Sequence, residues 1–429
     1  MTFSAPEFTL VCRHCGAGFD PDIRLLKHDS CAAEPFLLTQ YKKVQIDIDH
    51  NDPSLFRFSD WLPVRRRLEN SAAPVTYRSR ELASELGLEN LFITFSGYWP
   101  ERGADMRTGS FKECEAYSVC SGLPENTQEV LVVASAGNTA RAFASVCSRN
   151  RIPLVVVIPE KNLPALWFDH ELDPCVRIIA AGADSDYFDA IHLAGVVCGY
   201  DGFFPEGGAR NVARRDGMGT TVLSAADHIG ALPEHYFQAV GSGTGAIAAW
   251  EATERLRRDG RFGQHIMRIH AAQNEPFLLL KNAWERGSRH LIPMDPETAR
   301  QHAAKVWASV LTNRQPPFSP EGGFFDAMEA SQGRMYGVTN EAAHAAYARF
   351  LELEGIDIDP AAAVAVASLE QAVHAQVLDP QATIMLNVTG GGARRLRAEI
   401  ELHQAQPSLI IEHQDINPKT VLPRLESLF

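Results

Sequence analysis

Short apolar runs alternate with helical stretches along most of this chain, and the turns that join them are rich in glycine, serine and threonine. Residues 131–134, 152–158, 237–240, 266–271 and 383–388 read as strands, being apolar, short and biased to β-branched side chains. Residues 139–149, 187–198, 246–258 and the alanine-rich 360–377 read as helices. Strand, turn, helix, strand in that rhythm predicts an α/β fold with parallel-rich sheets and helices on both faces. Internal repeats and low-complexity tracts are absent from the sequence. The stretch Gln315-Pro-Pro-Phe-Ser-Pro320, followed by Gly322-Gly323, reads as a loop within the second half rather than a domain linker.

Charge narrows the partners. The 429 residues include 40 Lys and Arg against 53 Asp and Glu, a net charge of −13. Nucleic acid is therefore not expected, because neutralising phosphates along a polymer needs a basic face. A small anion is still admissible, since two or three placed arginines suffice to hold it. The first ten residues include Pro6 and Glu7 and lack both a basic start and an apolar core, so a signal peptide is not expected. The densest apolar run, 152–159, is far too short to span a bilayer. Eight cysteines, five of them scattered singly (Cys114, Cys120, Cys147, Cys175 and Cys198), do not make a disulfide scaffold. These features predict a cytoplasmic protein without a membrane partner.

Residues 1–40 stand apart as a zinc-ribbon-like segment. Cys12-Arg-His-Cys15 precedes Gly16-Ala-Gly18, with His28 and Cys31 further on. Two thiolates on a tight turn can converge on a tetrahedral ion, but a four-ligand site needs a second pair. The sequence offers Cys31, with His28 or His14 as the fourth group. The reading taken from sequence is a ribbon that folds without metal, with zinc on Cys12, Cys15 and Cys31 as the alternative.

Four segments carry chemistry. In Thr108-Gly-Ser-Phe-Lys112 a lysine follows a Gly-Ser turn at the start of a helical stretch, where the helix field and desolvation lower an amine's pKa. Such a lysine can form a Schiff base or act as a base. Ser135-Ala136-Gly137-Asn138-Thr139 joins a strand to a helix and offers amides and hydroxyls to a carboxylate. Gly241-Ser242-Gly243-Thr244-Gly245 does the same with glycines that let backbone wrap a phosphate. Gly241, Gly243 and Ala246 also fit a loose dinucleotide fingerprint, but the next strand runs into Ala271-Ala-Gln-Asn274 without the acid that a ribose requires. A single phosphate is the better reading. Thr389, ahead of Gly390-Gly391-Gly392, sets a hydroxyl at a strand end where it could face a ring nitrogen. An amine, a carboxylate pocket, a phosphate cradle and a late hydroxyl at strand ends together suit pyridoxal phosphate acting on an amino acid.

The order of these segments resembles the tryptophan-synthase-β class of pyridoxal-phosphate enzymes, and within it threonine synthase. Thr108-Gly-Ser-Phe-Lys112 is similar to that family's Schiff-base motif, and Asn211-Val-Ala-Arg214-Arg-Asp-Gly217 to its arginine segment. A closer resemblance is to the cysteate synthases, carried by Trp61-Leu-Pro63, 95–103, 205–220, 235–245 and Leu311-Thr-Asn-Arg314, and it covers nearly the whole chain. Met106-Arg107 stands where threonine synthases have Asn-Pro, and Glu113-Cys114 where they have Asp-Arg.

That resemblance implies a two-lobed fold of pyridoxal-phosphate fold type II. Its large lobe would comprise 41–114 and 233–429, and its small inserted lobe, carrying the asparagine loop, 115–232. It further implies a transferase that turns O-phospho-L-serine and sulfite into L-cysteate and phosphate, through a Lys112 aldimine and an aminoacrylate. Lys112 would be catalytic, Asn138 would meet the cofactor's phenolic oxygen, and Gly241, Ser242, Gly243, Thr244 and Gly245 would cradle its phosphate. Thr389 would face its ring nitrogen. Ser135, Ala136, Gly137 and Thr139 would hold the substrate carboxylate. Arg107 and Arg214 would meet its anionic groups, with Arg102 and Arg210 as further candidates. A homo-oligomer is implied by the class. The alternatives are threonine synthase acting on O-phosphohomoserine, a related β-replacement with another nucleophile, and a non-enzymatic zinc-ribbon binding protein.

Overall fold

The computed structural model describes residues 4–32 and 34–428; the opening stretch read for a signal peptide lies partly outside the described residues. Among these residues the chain builds two principal sheets. The larger runs in the order Arg334–Val338, Arg268–Asn274, His235–Ala239, Thr383–Val388, Asn90–Phe95 and Val75–Arg78. Its first five strands are parallel, and Val75–Arg78 closes one edge antiparallel. The smaller sheet is parallel throughout, in the order Phe203–Pro205, Val130–Ala134, Leu154–Pro159, Val176–Ala181 and Leu409–Ile411. Parallel strands covered by helices on both faces need no polar side, and every residue of Leu154–Pro159 is buried. Each such Val, Leu or Ile contributes about 1.5–3 kcal/mol through burial.

The strands and helices read from sequence are present with shifted ends. Thr383–Val388 keeps the same bounds, while the first helix runs Asn138–Asn150 and the last of those read is Pro360–His374. The two sheets do not divide the chain as simply as one insertion at 115–232. Leu409–Ile411, from near the C-terminus, pairs with Val176–Ala181 and forms an edge of the smaller sheet. The helix Val212–Ile229 packs against the helices Lys112–Gly122 and Thr244–Asp259 and against the larger sheet's edge.

Glycines set that three-helix contact. A Cβ on Gly217 would lie 2.4 Å from the Cys114 carbonyl oxygen, so the helices Val212–Ile229 and Lys112–Gly122 touch backbone to backbone there. Gly219, two residues on, faces the third helix with more room, and a Cβ there would meet the Ala248 carbonyl at 3.3 Å. The N-terminal turns of these three helices carry Lys112, Arg214 and Thr244. Phe111, Met218 and Ala248 form a small apolar cluster beside them.

The N-terminal ribbon is a three-stranded antiparallel sheet of Gly18–Phe19, Phe8–Cys12 and Leu37–Tyr41. It is fastened to the same helices by charge. Asp216 accepts hydrogen bonds from Thr39 and Tyr41 of the ribbon and pairs with Arg255. Arg13 pairs with Glu254 at 2.6 Å.

Candidate active site

Three strand ends and one helix start converge on a cavity of about 380 Å³. The strand Val130–Ala134 runs into Ser135-Ala-Gly137, where the Ser135 hydroxyl accepts the Gly137 amide at 3.1 Å, and the helix Asn138–Asn150 follows. His235–Ala239 runs into Gly241–Gly243 and the helix Thr244–Asp259. Gly243 has φ +79°, and a Cβ there would meet the Phe324 ring at 2.4 Å, so glycine is required on both counts. Thr383–Val388 runs into Thr389, whose carbonyl accepts the Phe111 amide at 2.9 Å. That bond and the bond from the Gly391 amide to the Gly109 carbonyl (3.2 Å) tie the turn before Lys112 to the third strand end.

Lys112 lies in the first turn of its helix with its amine 3.2 Å from Glu115. Burial pushes that amine below the ordinary lysine range, and the Glu115 carboxylate pulls the other way. Glu115 also accepts from the Thr139 hydroxyl at 2.9 Å and lies 3.5 Å from the Arg214 guanidinium. Arg214 makes a two-pronged pair with Glu206 at 2.7 and 2.6 Å. It stands in the first turn of Val212–Ile229, capped by Asn211, which accepts the Ala213 amide at 2.9 Å. The floor thus alternates the Lys112 amine and the Arg214 guanidinium with two carboxylates, a network that fixes each group's direction.

Asn138 is held from the far side. Its carbonyl accepts from Arg141 at 2.8 Å, and Arg141 also bonds the carbonyls of Thr108 and Ala165 at 2.8 Å each. Asp359 faces the Asn138 amide at 3.5 Å, and burial raises its carboxyl above the usual range.

Lys112, Ser135, Ala136, Gly137, Asn138, Thr139, Arg214, the loop Gly241–Gly245 and Thr389 all line this cavity. Arg107 is outside its lining. It is half exposed and paired with Asp105 at 3.1 Å and Asp169 at 3.3 Å, so the expectation that it meets a ligand here does not hold in this geometry. Arg102 lies over the Tyr77 and Trp99 rings instead, whereas Arg210 does line the cavity. Burial pushes the Cys114 thiol far up, which suits packing. Sequence reading missed Glu115, Glu206, Asp359 and Tyr187, the last two of which also line the cavity. Glu115 had a signal, three residues after Lys112 on one helix face. Glu206 lay inside a quoted segment, but Tyr187 and Asp359 had no local mark.

The residues present fit a phosphorylated pyridine aldehyde. The glycine loop opens a helix of 16 residues, whose N-terminal dipole favours an anion. A Cβ on Gly241 would lie 2.9 Å from the Val310 carbonyl, so the loop has no room for side chains behind it and presents its backbone. The amine of Lys112 and the hydroxyl-bearing Thr389 line the same cavity.

Comparison with known proteins agrees with this geometry. Residues 78–390 match the family model described as pyridoxal-phosphate dependent enzyme. The chain is 46% identical over 411 residues to the cysteate synthase of Methanosarcina acetivorans, covering 96% of this chain and 98% of that protein. It is 49% identical over 378 residues to the cysteate synthase of Methanocorpusculum labreanum, covering 87% and 90%. Among solved structures, maize serine racemase superposes with a TM-score of 0.57 at 16% identity, covering 75% of this chain and 88% of that one. A likeness at that identity speaks for the fold alone.

Proposed function

The chain belongs to the pyridoxal-phosphate dependent enzyme family, and from that premise we propose that it converts O-phospho-L-serine and sulfite to L-cysteate and phosphate. The observation that carries the reading is the convergence of Lys112, the loop Ser135–Thr139 and the loop Gly241–Gly245 on one cavity. Full-length similarity to cysteate synthases supplies the substrate class.

When bound, the cofactor supplies an aldehyde that takes up the substrate amine and a ring that withdraws electrons from its Cα. The protein supplies position and protons. The Gly241–Gly245 amides would hold the cofactor phosphate at the helix start. Asn138 would donate to the phenolic oxygen, and Thr389 would offer its hydroxyl to the ring nitrogen. A neutral hydroxyl there, rather than a carboxylate, would leave the ring nitrogen uncharged, which would suit elimination and replacement at Cβ. Ser135 and Thr139, with the amides of Ala136 and Gly137, would hold the substrate carboxylate.

Lys112 takes the Cα proton of the substrate. Burial favours its neutral form, and Glu115 at 3.2 Å fixes where its lone pair points. Arg214 would meet the phosphate leaving from Cβ and then the incoming sulfite, both oxyanions that a planar guanidinium can bind two-pronged. Glu206 keeps its guanidinium in place between those events.

No helix among the described residues is long and apolar enough to cross a membrane. We assign the enzyme to the reducing cytoplasm, a reading supported by the singly scattered cysteines of its sequence. A homo-oligomer rests on class precedent, and light scattering reads its number. The reaction is tested by incubating the cofactor-loaded chain with O-phosphoserine, with and without sulfite, and following phosphate and cysteate by mass spectrometry. Sulfite-dependent formation of both products is expected. Phosphate release from O-phosphohomoserine alone, or from neither substrate, overturns the reading.

A further inference from the structure

We infer that the N-terminal ribbon holds a zinc-class divalent cation on Cys12, Cys15, His28 and Cys31. The ligand atoms of these four side chains all lie within 4.8 Å of one another. Three thiolates and one imidazole are the donor set of a closed tetrahedral zinc site. Soft sulfur donors also exclude magnesium and calcium, which take oxygen.

The fourth ligand is decided by where each histidine points. His14 turns to Glu321, with Nδ1 2.7 Å from the carboxylate. His28 brings its Nδ1 to 3.5 Å from the Cys15 sulfur, and its ring stands edge-on to Phe19 at 5.0 Å between centroids. The first pair sits on a tight turn: the Gly16 amide bonds the Cys12 carbonyl at 3.0 Å, with Gly16 at φ +72°. The second pair is a His-x-x-Cys turn closed by the Cys31 amide on the His28 carbonyl at 3.0 Å.

The backbone between the pairs gives the site a structural task. No helix or strand occurs among the described residues between Phe19 and Leu37. From Asp20 to Glu34, Ile23 is the one buried residue among those described. A segment of that length with so little apolar burial gains order when His28 and Cys31 within it are tied through the ion to Cys12 and Cys15.

The same segment supports the cavity wall. Leu26, two residues before His28, fills the space behind Gly207: a Cβ there would lie 2.3 Å from Leu26 Cδ2. Glu34, three residues after Cys31, takes Arg210 by its carbonyl at 3.1 Å and its carboxylate at 3.0 Å. Gly207 and Arg210 line the cavity, and Glu206 beside them holds Arg214. The cation therefore acts as a positioning group for the 206–211 loop; only this last step rests on the reaction proposed above.

The test uses the full cofactor-loaded chain, purified under reducing conditions. Elemental analysis is expected to give about one zinc per chain. After removal of zinc with a thiol-reactive mercurial, Co²⁺ is expected to restore occupancy with the charge-transfer and visible bands of tetrahedral thiolate coordination. His28→Ala and Cys31→Ser lower bound metal to less than about a tenth of an equivalent, while His14→Ala keeps it. Stripped enzyme is expected to show a several-fold higher KM for O-phosphoserine with kcat little changed. A wild-type chain that carries no zinc and takes up no cobalt overturns the site, as does a disulfide among these cysteines found by mass spectrometry. Metal lost by His14→Ala but kept by His28→Ala overturns the ligand set. Metal content is read without turnover, so failure here and failure of the proposed reaction are distinguishable even if Cys31→Ser does not fold.

Discussion

Arg214 and Arg107 carry the same charge and occupy opposite situations. Arg214 is buried between Glu206 and Glu115 at the cavity floor, while Arg107 is half exposed. A charge-assisted bond to a phosphorylated substrate contributes about 1.5–3 kcal/mol, so Arg214→Gln should raise KM for O-phosphoserine by about 10- to 100-fold. Arg107→Ala should leave it within about twofold, because Asp169 keeps Arg149 at 2.5 Å and His170 at 2.9 Å. Steady-state kinetics of the two variants checks both, and equal effects would remove Arg214 from the substrate site. Glu113 poses a different question. Burial lifts its carboxyl to about 7, against hydrogen bonds from the Thr108 amide and hydroxyl that favour the ionised form. Unfolded, it titrates near about 4.3. Between those values the native state binds the extra proton, so stability is full below the unfolded pKa and falls as pH rises toward 7. At about 1.4 kcal/mol per unit the loss is at most about 4 kcal/mol. Glu113→Gln should remove it, so the stability of wild type relative to the variant declines from pH 5 to 7.5 in paired thermal melts. A difference that does not change with pH would show that Glu113 is ionised throughout.

At the scale of elements, the site depends on how closely three helices approach. Gly217 lets the Arg214 helix touch the Lys112 helix, and a Cβ there would press on the Cys114 carbonyl at 2.4 Å and on Ser118 Cβ at 2.8 Å. Gly217→Ala should cost about 1–3 kcal/mol through overpacking. It should also weaken substrate binding, since the distance from Arg214 to Glu115 opens; a melt and a KM together check this. An unchanged melting temperature would mean that the helices part freely. The strand-end loops were legible in sequence because each is a local device: a few consecutive residues that turn a strand into a helix and leave amides free. Lys112, the Ser135–Thr139 loop, the Gly241–Gly245 loop and Thr389 all belong to this kind. Glu206 was not legible, because a carboxylate becomes part of a site only when packing brings a cation to it; Glu115 was legible in its spacing from Lys112 but not in its approach to Arg214. Asp359 and Asn138 face each other across 221 positions of sequence, a separation no spacing rule reaches. The same holds in the ribbon, where only the orientation of two imidazoles separates His28 from His14.

For the molecule as a whole, the net charge of −13 conceals a site built for anions. The conflict is resolved locally, by a glycine loop at a helix start and by arginines whose partners hold them facing inward. The fold class was readable from alternation alone, but one strand was not. Leu409–Ile411 has three residues and no periodicity, and it is a strand because Val176–Ala181 offers it an open edge. Cutting the chain after residue 406 should leave every cavity-lining residue present and still yield an aggregating, poorly active protein, as gel filtration would read. A soluble, fully active truncation would show that the strand is dispensable. The position of this strand bears on synthesis at the ribosome. By the time Thr389 has been added, all the groups that line the cavity exist, yet the smaller sheet still lacks its edge strand. The nascent enzyme therefore carries a complete set of reactive side chains on an incomplete scaffold until the last stretch emerges. Chaperones that cover bare strand edges would be needed during that interval, and a chain that stalls late would be recognised as defective although no functional group is missing.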